Sequence, residues 1–405
     1  MRLAGAAAAL VLIVGLLAVA ARPSARADDE APAPPLSAAE RAQVLAHGPW
    51  PGPTPADPGN RFSGLAAAEA LGERLFAEPA LSGRGDLACR SCHDPARGFT
   101  DGRARAQGIA GLDRNTQGLH DLALHRWYGW DGGADSLWAA SLRPLLDPRE
   151  MAASAAIVAT AIRQRPELAS LLAQARAAAG AGARAPHASP DEADLVDAAK
   201  AIGAWLRTLR SPPTAFDAYR DALARDDAAA AARYPPAALR GLRLFIGEAR
   251  CHLCHVGPLF SNGEFHDIGI PFMPAPGRVD PGRHAGLQRL LRDRHNLIGP
   301  FADPPAPGTA PGQDPALRTR TVVMQHRHFG EWRTPGLRGL SAGAPYMHDG
   351  RLPSLDAVID HYDRIDTERL HADGEALLRP LRLSPRQRAD LLAFLRSLDP
   401  PPLAQ

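Results

Sequence analysis

Cysteine is scarce in this sequence, with four residues among 405. Aromatic residues make up only 5% of the chain, and no apolar run beyond residue 20 approaches the ~20 residues that a membrane-spanning helix needs. The formal net charge is only +2, which gives no reason to expect nucleic acid or an anionic membrane as a partner. Strand-forming patterns are also scarce. These absences exclude a polytopic membrane protein and favour a mostly α, globular chain.

The N-terminus carries one apolar run, in residues 4–20, directly after the basic residue Arg2. Ala25 and Ala27 then supply small side chains at the two positions that a signal peptidase reads. We therefore predict a signal peptide over residues 1–27, with a retained N-terminal anchor as the alternative. The mature protein is expected to be exported to the periplasm of a bacterium, with no membrane attachment after cleavage.

The four cysteines form two C-x-x-C-H motifs, CRSCH at residues 89–93 and CHLCH at residues 251–255. Such motifs attach haem c through two thioether bonds, and the adjacent histidine binds the iron. A zinc site would need four ligands at one place, and a redox C-x-x-C has no need of the histidine. Disulfides are conceivable in an exported protein but fit this pattern less well. We predict two covalently bound haem c groups, held by Cys89, Cys92, His93, Cys251, Cys254 and His255.

The sequence around the two motifs is repeated. GERLF at residues 72–76 precedes the first motif, and GLRLF at residues 241–245 precedes the second. FTDG at residues 99–102 and FSNG at residues 260–263 follow them. A repeat of this length indicates a duplicated structural unit. We expect each G-x-R-L-F segment to be a helix that packs apolar side chains toward a porphyrin.

A chain of this length favours two domains. We predict two tandem cytochrome-c-like domains with few or no strands, at residues 61–232 and 233–400, after an extended lead-in over residues 28–60. A low-complexity stretch at 175–192 is expected to be a surface insertion, and a Pro- and Gly-rich stretch at 299–314 a loop. Helical patterns occur over residues 65–78, 134–145, 150–163, 165–178, 191–210, 214–230 and 384–398.

Two longer segments, residues 114–151 and 333–362, resemble the bacterial di-haem cytochrome c peroxidase superfamily, which includes the MauG-like enzymes. The similarity extends from about Leu65 to Leu398. The resemblance implies that the first haem, at residues 89–93, is the peroxide site and that Glu150 lies over its open face. A carboxylate there could move a proton from the inner to the outer peroxide oxygen. The alternative is an acid at a helix start, favoured by the helix dipole.

The resemblance also assigns Trp130, in the WDGG segment, to the path between the two haems, with ordinary core packing as the alternative. Two positions depart from the family pattern. Ala140 stands where a Gln is common, and Gln107 stands where a His blocks the peroxide iron in typical members. We therefore predict that the first haem has an open coordination site without reductive activation.

The second haem, at residues 251–255, has His255 as its proximal ligand. Peroxidases of this family place a Met on its other face, whereas the equivalent residue here is Tyr362, as in MauG-like members. A phenolic oxygen stabilises oxidised iron, so this haem would store an oxidising equivalent rather than accept electrons from a high-potential donor. His361 and Met347 are alternative ligands, and Tyr362 could instead be a core residue of an amphipathic helix.

Four further residues receive roles from the resemblance. The Asn115 side chain and the carbonyl groups of Gly343 and Pro345 match a calcium site between the domains, and calcium accepts such neutral oxygen ligands. Arg338 is expected to pair with a haem propionate, unless it is a surface cation.

The function favoured by these residues is that of an exported, MauG-like di-haem peroxidase that reduces hydrogen peroxide. Its partner would be a small redox protein, such as a cytochrome c or a cupredoxin, or a protein substrate that it oxidises. The alternatives are an ordinary cytochrome c peroxidase that removes peroxide and a di-haem electron carrier without enzymatic activity. A homodimer is compatible with the sequence.

Overall fold

Helices dominate the computed structural model, which describes residues 34–57, 59–180, 189–270, 276–305, 314–369 and 377–401. The signal peptide predicted at residues 1–27 and parts of the 175–192 and 299–314 stretches lie outside these ranges. Within them the helices are α1 (Ala38–Leu45), α2 (Ala66–Phe76), α3 (Leu137–Leu146), α4 (Ala155–Arg163), α5 (Pro166–Ala178), α6 (Pro190–Leu206), α7 (Ala215–Ala224), α8 (Ala228–Ala231), α9 (Pro236–Ile246), α10 (Arg283–Arg292), α11 (Ala316–Thr321), α12 (Leu355–Asp363) and α13 (Pro385–Arg396).

Strand structure in the described part of the chain is limited to one antiparallel pair, β1 (Phe265–His266) and β2 (Trp332–Arg333). Phe265 pairs with Arg333 in its register. The prediction of a mostly α fold with few strands is confirmed. No helix among the described residues is long and apolar enough to span a membrane.

The helix α1 differs from the extended lead-in expected over residues 28–60. Ser37 caps α1, and its hydroxyl and the Glu40 carboxylate bond each other's backbone N–H in a capping box. Val44 is fully buried in the core around the second C-x-x-C-H motif. His47 follows, with Nε2 3.2 Å from the carbonyl oxygen of His255. The lead-in therefore packs against the second motif instead of leaving the fold.

The duplicated G-x-R-L-F glycines lie where two helices cross closely. In the first half α2 packs against α6, and a Cβ added at Gly72 would lie 2.1 Å from the carbonyl oxygen of Ala201. In the second half α9 packs against α13, and a Cβ at Gly241 would lie 1.9 Å from the carbonyl oxygen of Asp390. Only a residue without a side chain permits these crossings. The repeat therefore encodes a helix crossing as well as the apolar face predicted from sequence.

Three rings pack together next to each C-x-x-C-H motif, and the two sets match. They are Phe76, Phe99 and Trp205 in the first half, and Phe245, Phe260 and Phe394 in the second. The two phenylalanine pairs have centroids 6.1 Å apart at 72° and 71°. The ring from the crossing helix lies 4.7 Å from Phe76 in the first set and 4.8 Å from Phe245 in the second. This repeated geometry supports the predicted internal duplication.

The two halves exchange segments across the predicted boundary at residues 232 and 233. Phe216, from α7, is buried in the second core, whereas Phe301 is buried in the first. Lys200, the single lysine of the sequence, is buried and donates to the Phe301 carbonyl (2.8 Å) and the Asp303 carboxylate (2.6 Å). Residues Pro35–Gln405 accordingly group as one compact unit. The domain limits themselves stay a prediction.

Candidate di-haem site

Each C-x-x-C-H motif folds as a 3₁₀ turn, Cys89–Ser91 in the first half and Cys251–Leu253 in the second. The four cysteines, all among the described residues, form no disulfide, and burial raises the pKa of Cys89 and of Cys251 to about 12. Reactive or metal-binding cysteines have lowered pKa values instead. No cluster of three His, Cys, Asp or Glu side chains suited to a metal ion occurs in the described ranges. The part of the chain that the structure describes therefore shows neither a disulfide between these cysteines nor a zinc-binding cluster around either turn.

The two motif histidines are oriented in the same way. Nδ1 of His93 donates to the carbonyl oxygen of Phe99 (3.0 Å), and Nδ1 of His255 donates to that of Phe260 (2.8 Å). A carbonyl can only accept, so the proton is on Nδ1 and Nε2 can bind a metal. Both phenylalanines have positive φ angles, 62° and 53°. This uncommon backbone conformation turns each carbonyl toward its histidine.

A second repeat, which the sequence reasoning missed, completes this arrangement. Thr116-Gln117-Gly118-Leu119 corresponds to Thr334-Pro335-Gly336-Leu337. Burial lowers the pKa of His93, an effect opposed by the carbonyl groups of Phe99 and Gln117. Burial likewise lowers the pKa of His255 to about 4, opposed by the carbonyl groups of Phe260 and Pro335. The signal was present in the sequence as T-x-G-L after each motif.

A cavity of about 920 Å³ lies around the second motif. Its lining includes Cys251, Cys254 and His255, together with the phenol of Tyr362. Apolar side chains form much of the rest, including Leu259, Leu337, Leu355, Val358, Ile359 and Leu395. Two thiols, an imidazole with a free Nε2 and apolar walls are the groups that a covalently attached haem needs. The residues present therefore fit haem c.

Of the three candidate sixth ligands, the structure places Tyr362 and Met347 in the cavity lining. The described residues offer the Tyr362 hydroxyl no hydrogen bond; burial raises its pKa, and the thiols of Cys251 and Cys254 raise it further. His361, by contrast, donates from Nε2 to the carbonyl oxygen of Ile268 (2.8 Å). This hydrogen bond uses the Nε2 atom of His361.

Trp130 lines the same cavity and connects the two halves. Its indole N–H donates to the carbonyl oxygen of Asn115 (2.9 Å), and its own carbonyl accepts from the backbone N–H of Arg333 (2.9 Å). The residue is partly buried within the protein. Its relay role stays a prediction.

Glu150 lies in a turn between α3 and α4, because α4 begins at Ala155 rather than at residue 150. It is therefore not an acid of a helix start. Its side chain is 17% exposed and accepts from Arg143 (2.9 Å). The carboxylate is also close enough to Cys89 and His93 to influence the pKa of both. The structure thus brings Glu150 next to the first motif.

Two positions depart from the family pattern. Gln107 lies beside the first C-x-x-C-H motif, and Ala140 lies against the apolar core of the first half. The backbone carbonyl of Gln107 is 3.7 Å from the Cys92 sulfur, and the Gln107 amide donates to the carbonyl oxygen of Gly108 (3.3 Å). Ala140 packs against the apolar core of the first half. The open coordination site of the first haem stays a prediction.

The three residues expected to bind calcium all line the cavity. Asn115 donates from Nδ2 to the carbonyl oxygen of Arg103 (2.8 Å), and its backbone N–H donates to that of His348 (2.8 Å). Gly343 and Pro345 follow the 3₁₀ turn Leu340–Ala342. Calcium itself stays a prediction.

Arg338 is buried, so the alternative of a surface cation is wrong. Its guanidinium forms two 2.8 Å bonds with the Asp217 carboxylate and donates from Nε to the carbonyl oxygen of Pro258 (2.6 Å). It also lies 3.7 Å from the centroid of the Trp50 ring. A carboxylate of the chain already neutralises Arg338, and its pairing with a haem propionate stays a prediction.

Comparison with known proteins agrees with this geometry. The family model described as di-haem cytochrome c peroxidase matches residues 66–225. The methylamine utilization protein MauG of Methylorubrum extorquens is 34% identical over 337 residues, covering 83% of this chain and 79% of that protein. The cytochrome-c peroxidase IdrP1 of a Pseudomonas species is 32% identical, covering 96% and 91%. The chain belongs to the di-haem cytochrome c peroxidase family, which includes MauG.

Solved structures show the same fold. A MauG-like protein associated with microbial copper homeostasis is 26% identical, with a TM-score of 0.63 over 87% of this chain and 95% of the other. The diheme peroxidase BthA of Burkholderia thailandensis is 23% identical, with a TM-score of 0.60 over 84% and 87%. The family has two c-type haems, so the predicted cofactor class and the resemblance are confirmed.

Proposed function

We propose that this chain is an exported, MauG-like di-haem peroxidase that reduces hydrogen peroxide at its first motif. The observation that carries the proposal is a pair of side chains in the cavity around the second motif: His255, whose Nε2 is available, and Tyr362, whose hydroxyl has no hydrogen bond from the described residues. The neighbouring His361 is bound to the carbonyl oxygen of Ile268, which favours the Tyr362 phenol as the group that would hold the haem iron together with His255. The nitrogen and phenolic oxygen would together favour oxidised iron.

The first haem would be held by Cys89, Cys92 and His93, and the second by Cys251, Cys254, His255 and Tyr362. Bound haem supplies redox-active iron at which peroxide is reduced. Burial alone holds the Tyr362 phenol protonated, because it raises the pKa. An adjacent metal cation reverses this effect. Tyr362 would therefore ionise only when the second haem is in place.

Glu150 would act as the acid–base group at the first motif. Its carboxylate would accept the proton of the inner peroxide oxygen and return it to the outer oxygen, which would leave as water as the O–O bond breaks; the bound haem would supply the two electrons. Arg143 fixes the carboxylate in position through the 2.9 Å ion pair. With 17% of its side chain exposed, Glu150 is partly shielded from bulk water, which suits a group that must hold and release one proton.

Trp130 would carry an oxidising equivalent between the halves. The first half holds the indole through its hydrogen bond to Asn115, and the second half holds the Trp130 backbone through the N–H of Arg333. The electron donor would be a small redox protein or an oxidisable side chain of a partner protein. The periplasmic location and the calcium ion are further parts of this proposal.

The test is hydrogen peroxide turnover of the holoprotein with the Glu150→Gln variant. The amide cannot accept the proton, so turnover should fall by about 10²–10⁴-fold. The resting optical spectra of both haems should stay unchanged. The matched control is Glu167→Gln, which removes an exposed carboxylate paired with Arg74. Undiminished turnover in Glu150→Gln would return Glu150 to a structural ion pair, and the absence of turnover in the wild type would favour a simple electron carrier.

The second candidate function is that of an ordinary cytochrome c peroxidase. Two observations favour it: the 32% identity with a cytochrome-c peroxidase over nearly the whole chain, and the presence of Met347 in the cavity lining. A thioether ligand would raise the potential of the second haem so that a small cytochrome could donate electrons. The reduction potential of that haem separates the two functions, since Tyr362 predicts a low value and Met347 a high one.

A further inference from the structure

Arg333, on β2, is a buried cation without a counter-ion among the described residues. Only 5% of the residue is exposed. Its Nε donates to the carbonyl oxygen of Gly129 (3.2 Å), and its Nη1 donates to Nδ1 of His125 (3.0 Å). Neither acceptor carries a charge, and no carboxylate of the described chain contributes to the electrostatics of Arg333. Three of its five N–H donors remain for another partner.

The titratable groups packed around Arg333 cannot neutralise it. Burial, and then the charge of Arg333, lowers the pKa of His125 well below its usual value, so His125 is neutral. Burial raises the pKa of Tyr128, so its phenol is protonated. On the neighbouring β1 segment, His266 carries no negative charge, and Glu264 pairs with Arg126 (2.7 Å). A buried unpaired charge costs several kcal/mol, so an anion is expected to complete this site.

The free donors of Arg333 belong to a cavity that offers other unpaired donors. Arg333 lines the cavity that also contains Cys251 and His255. The indole N–H of Trp332 and the hydroxyl of Thr116 are buried without a hydrogen-bond partner, and both residues line the same cavity. Three residues of the cavity lining thus have polar atoms without an acceptor among the described residues. A guanidinium flanked by neutral donors is the arrangement that binds a carboxylate.

We propose that Arg333 binds a propionate carboxylate of the haem attached at Cys251 and Cys254. The proposal rests on the di-haem site described above. It moves the propionate contact from Arg338, which Asp217 already neutralises, to the one of these two arginines that lacks an anion. Arg333 also contacts the backbone of Trp130, so the same residue would position the second haem relative to the predicted relay.

The test is the reduction potential of the second haem in the holoprotein between pH 5 and pH 8. In the wild type, Arg333 keeps the propionate ionised throughout, so the potential should not change with pH. In Arg333→Gln the unpaired propionate has a raised pKa and titrates in this range. The variant should match the wild type near pH 5. At pH 8, its reduction equilibrium should shift tenfold toward Fe(III), which is 59 mV for one electron.

The matched control is Arg283→Gln. Arg283 is also buried, 3.8 Å from the Phe265 ring centroid, and donates to the carbonyl oxygens of Asp131 and Gly132 without a carboxylate partner. Burial lowers the pKa of both arginines to about 10, but Arg283 is not part of the cavity lining. Its variant should lose similar stability and keep the potential independent of pH.

The proposal is overturned if the reduction potential of the second haem depends on pH in Arg333→Gln in the same way as in the wild type and in Arg283→Gln. If Arg333→Gln does not fold, the wild type alone still decides, because a potential that falls from pH 5 to pH 8 shows a propionate that is not held ionised. Undiminished turnover in Glu150→Gln, or no turnover in the wild type, together with the expected potential profiles would overturn the proposed function and leave this inference standing.

Discussion

The close crossing of α9 and α13 gives a prediction for the second half of the molecule. In Gly241→Ala the new methyl group would lie 1.9 Å from the carbonyl oxygen of Asp390, so α13 must retreat by about 1 Å to reach even 3.0 Å. Overpacking of this kind costs about 1–3 kcal/mol and occasionally more. The better helix propensity of alanine offsets about 1 kcal/mol. Because the methyl group meets backbone rather than a flexible side chain, we take the upper end of this range, about 3 kcal/mol, and expect a net loss of about 2 kcal/mol in the free energy of unfolding.

The assay is urea unfolding combined with optical spectra that resolve the two haems. Because α9 leads directly into the Cys251 turn, Gly241→Ala should disturb the second haem and leave the first unchanged. Gly72→Ala should do the reverse. Gly52→Ala is the control, since its methyl group would meet nothing closer than the Pro49 carbonyl oxygen at 3.6 Å. Wild-type stability for Gly241→Ala, or equal disturbance of both haems, would refute this reasoning.

Three more predictions follow from buried groups. Asp217→Ala leaves the Arg338 guanidinium buried without its carboxylate and should cost about 3–5 kcal/mol in urea unfolding; a loss below 1 kcal/mol would contradict it. Burial lowers the pKa of His328 to about 4, so the wild type loses stability as the pH falls from 6.5 toward 4, when the unfolded chain takes up the proton first. His328→Gln should lose less stability than the wild type between pH 7.5 and pH 5. Urea unfolding curves that show the same loss in both proteins would exclude this role of His328. Trp130→Phe should slow the spectral response of the second haem after peroxide is mixed with the protein, as measured by stopped flow, and an unchanged rate would remove Trp130 from the path.

Much of the fold was predictable because it depends on local patterns. The closing helix α13 begins after Ser384 as expected, since the hydroxyl caps the backbone N–H of Gln387. The helix α1 was missed in a Pro- and Ala-rich stretch although Ser37 and Glu40 carry a capping-box pattern. The reason that glycine recurs at 72 and 241 was not predictable, because the contacting carbonyl groups belong to helices far along the chain.

The site was predictable where one motif carries the chemistry. The orientation of His93 and His255 follows from the C-x-x-C-H turns and the phenylalanines after them. The roles of the arginines were not predictable in this way. Arg338 and Arg333 are five residues apart, and only the tertiary structure shows that the first has a carboxylate partner from α7 while the second has none.

The Tyr362 phenol, in the cavity around the second motif, is the group on which the proposed function depends most. The measurement that tests it most directly is the resting spectrum of the second haem in Tyr362→Phe, compared with His361→Gln and the wild type. We predict that Tyr362→Phe alone changes this spectrum, because only its hydroxyl is available to the cavity whereas His361 is bonded to Ile268. An unchanged spectrum in Tyr362→Phe, or a changed one in His361→Gln, would contradict the account.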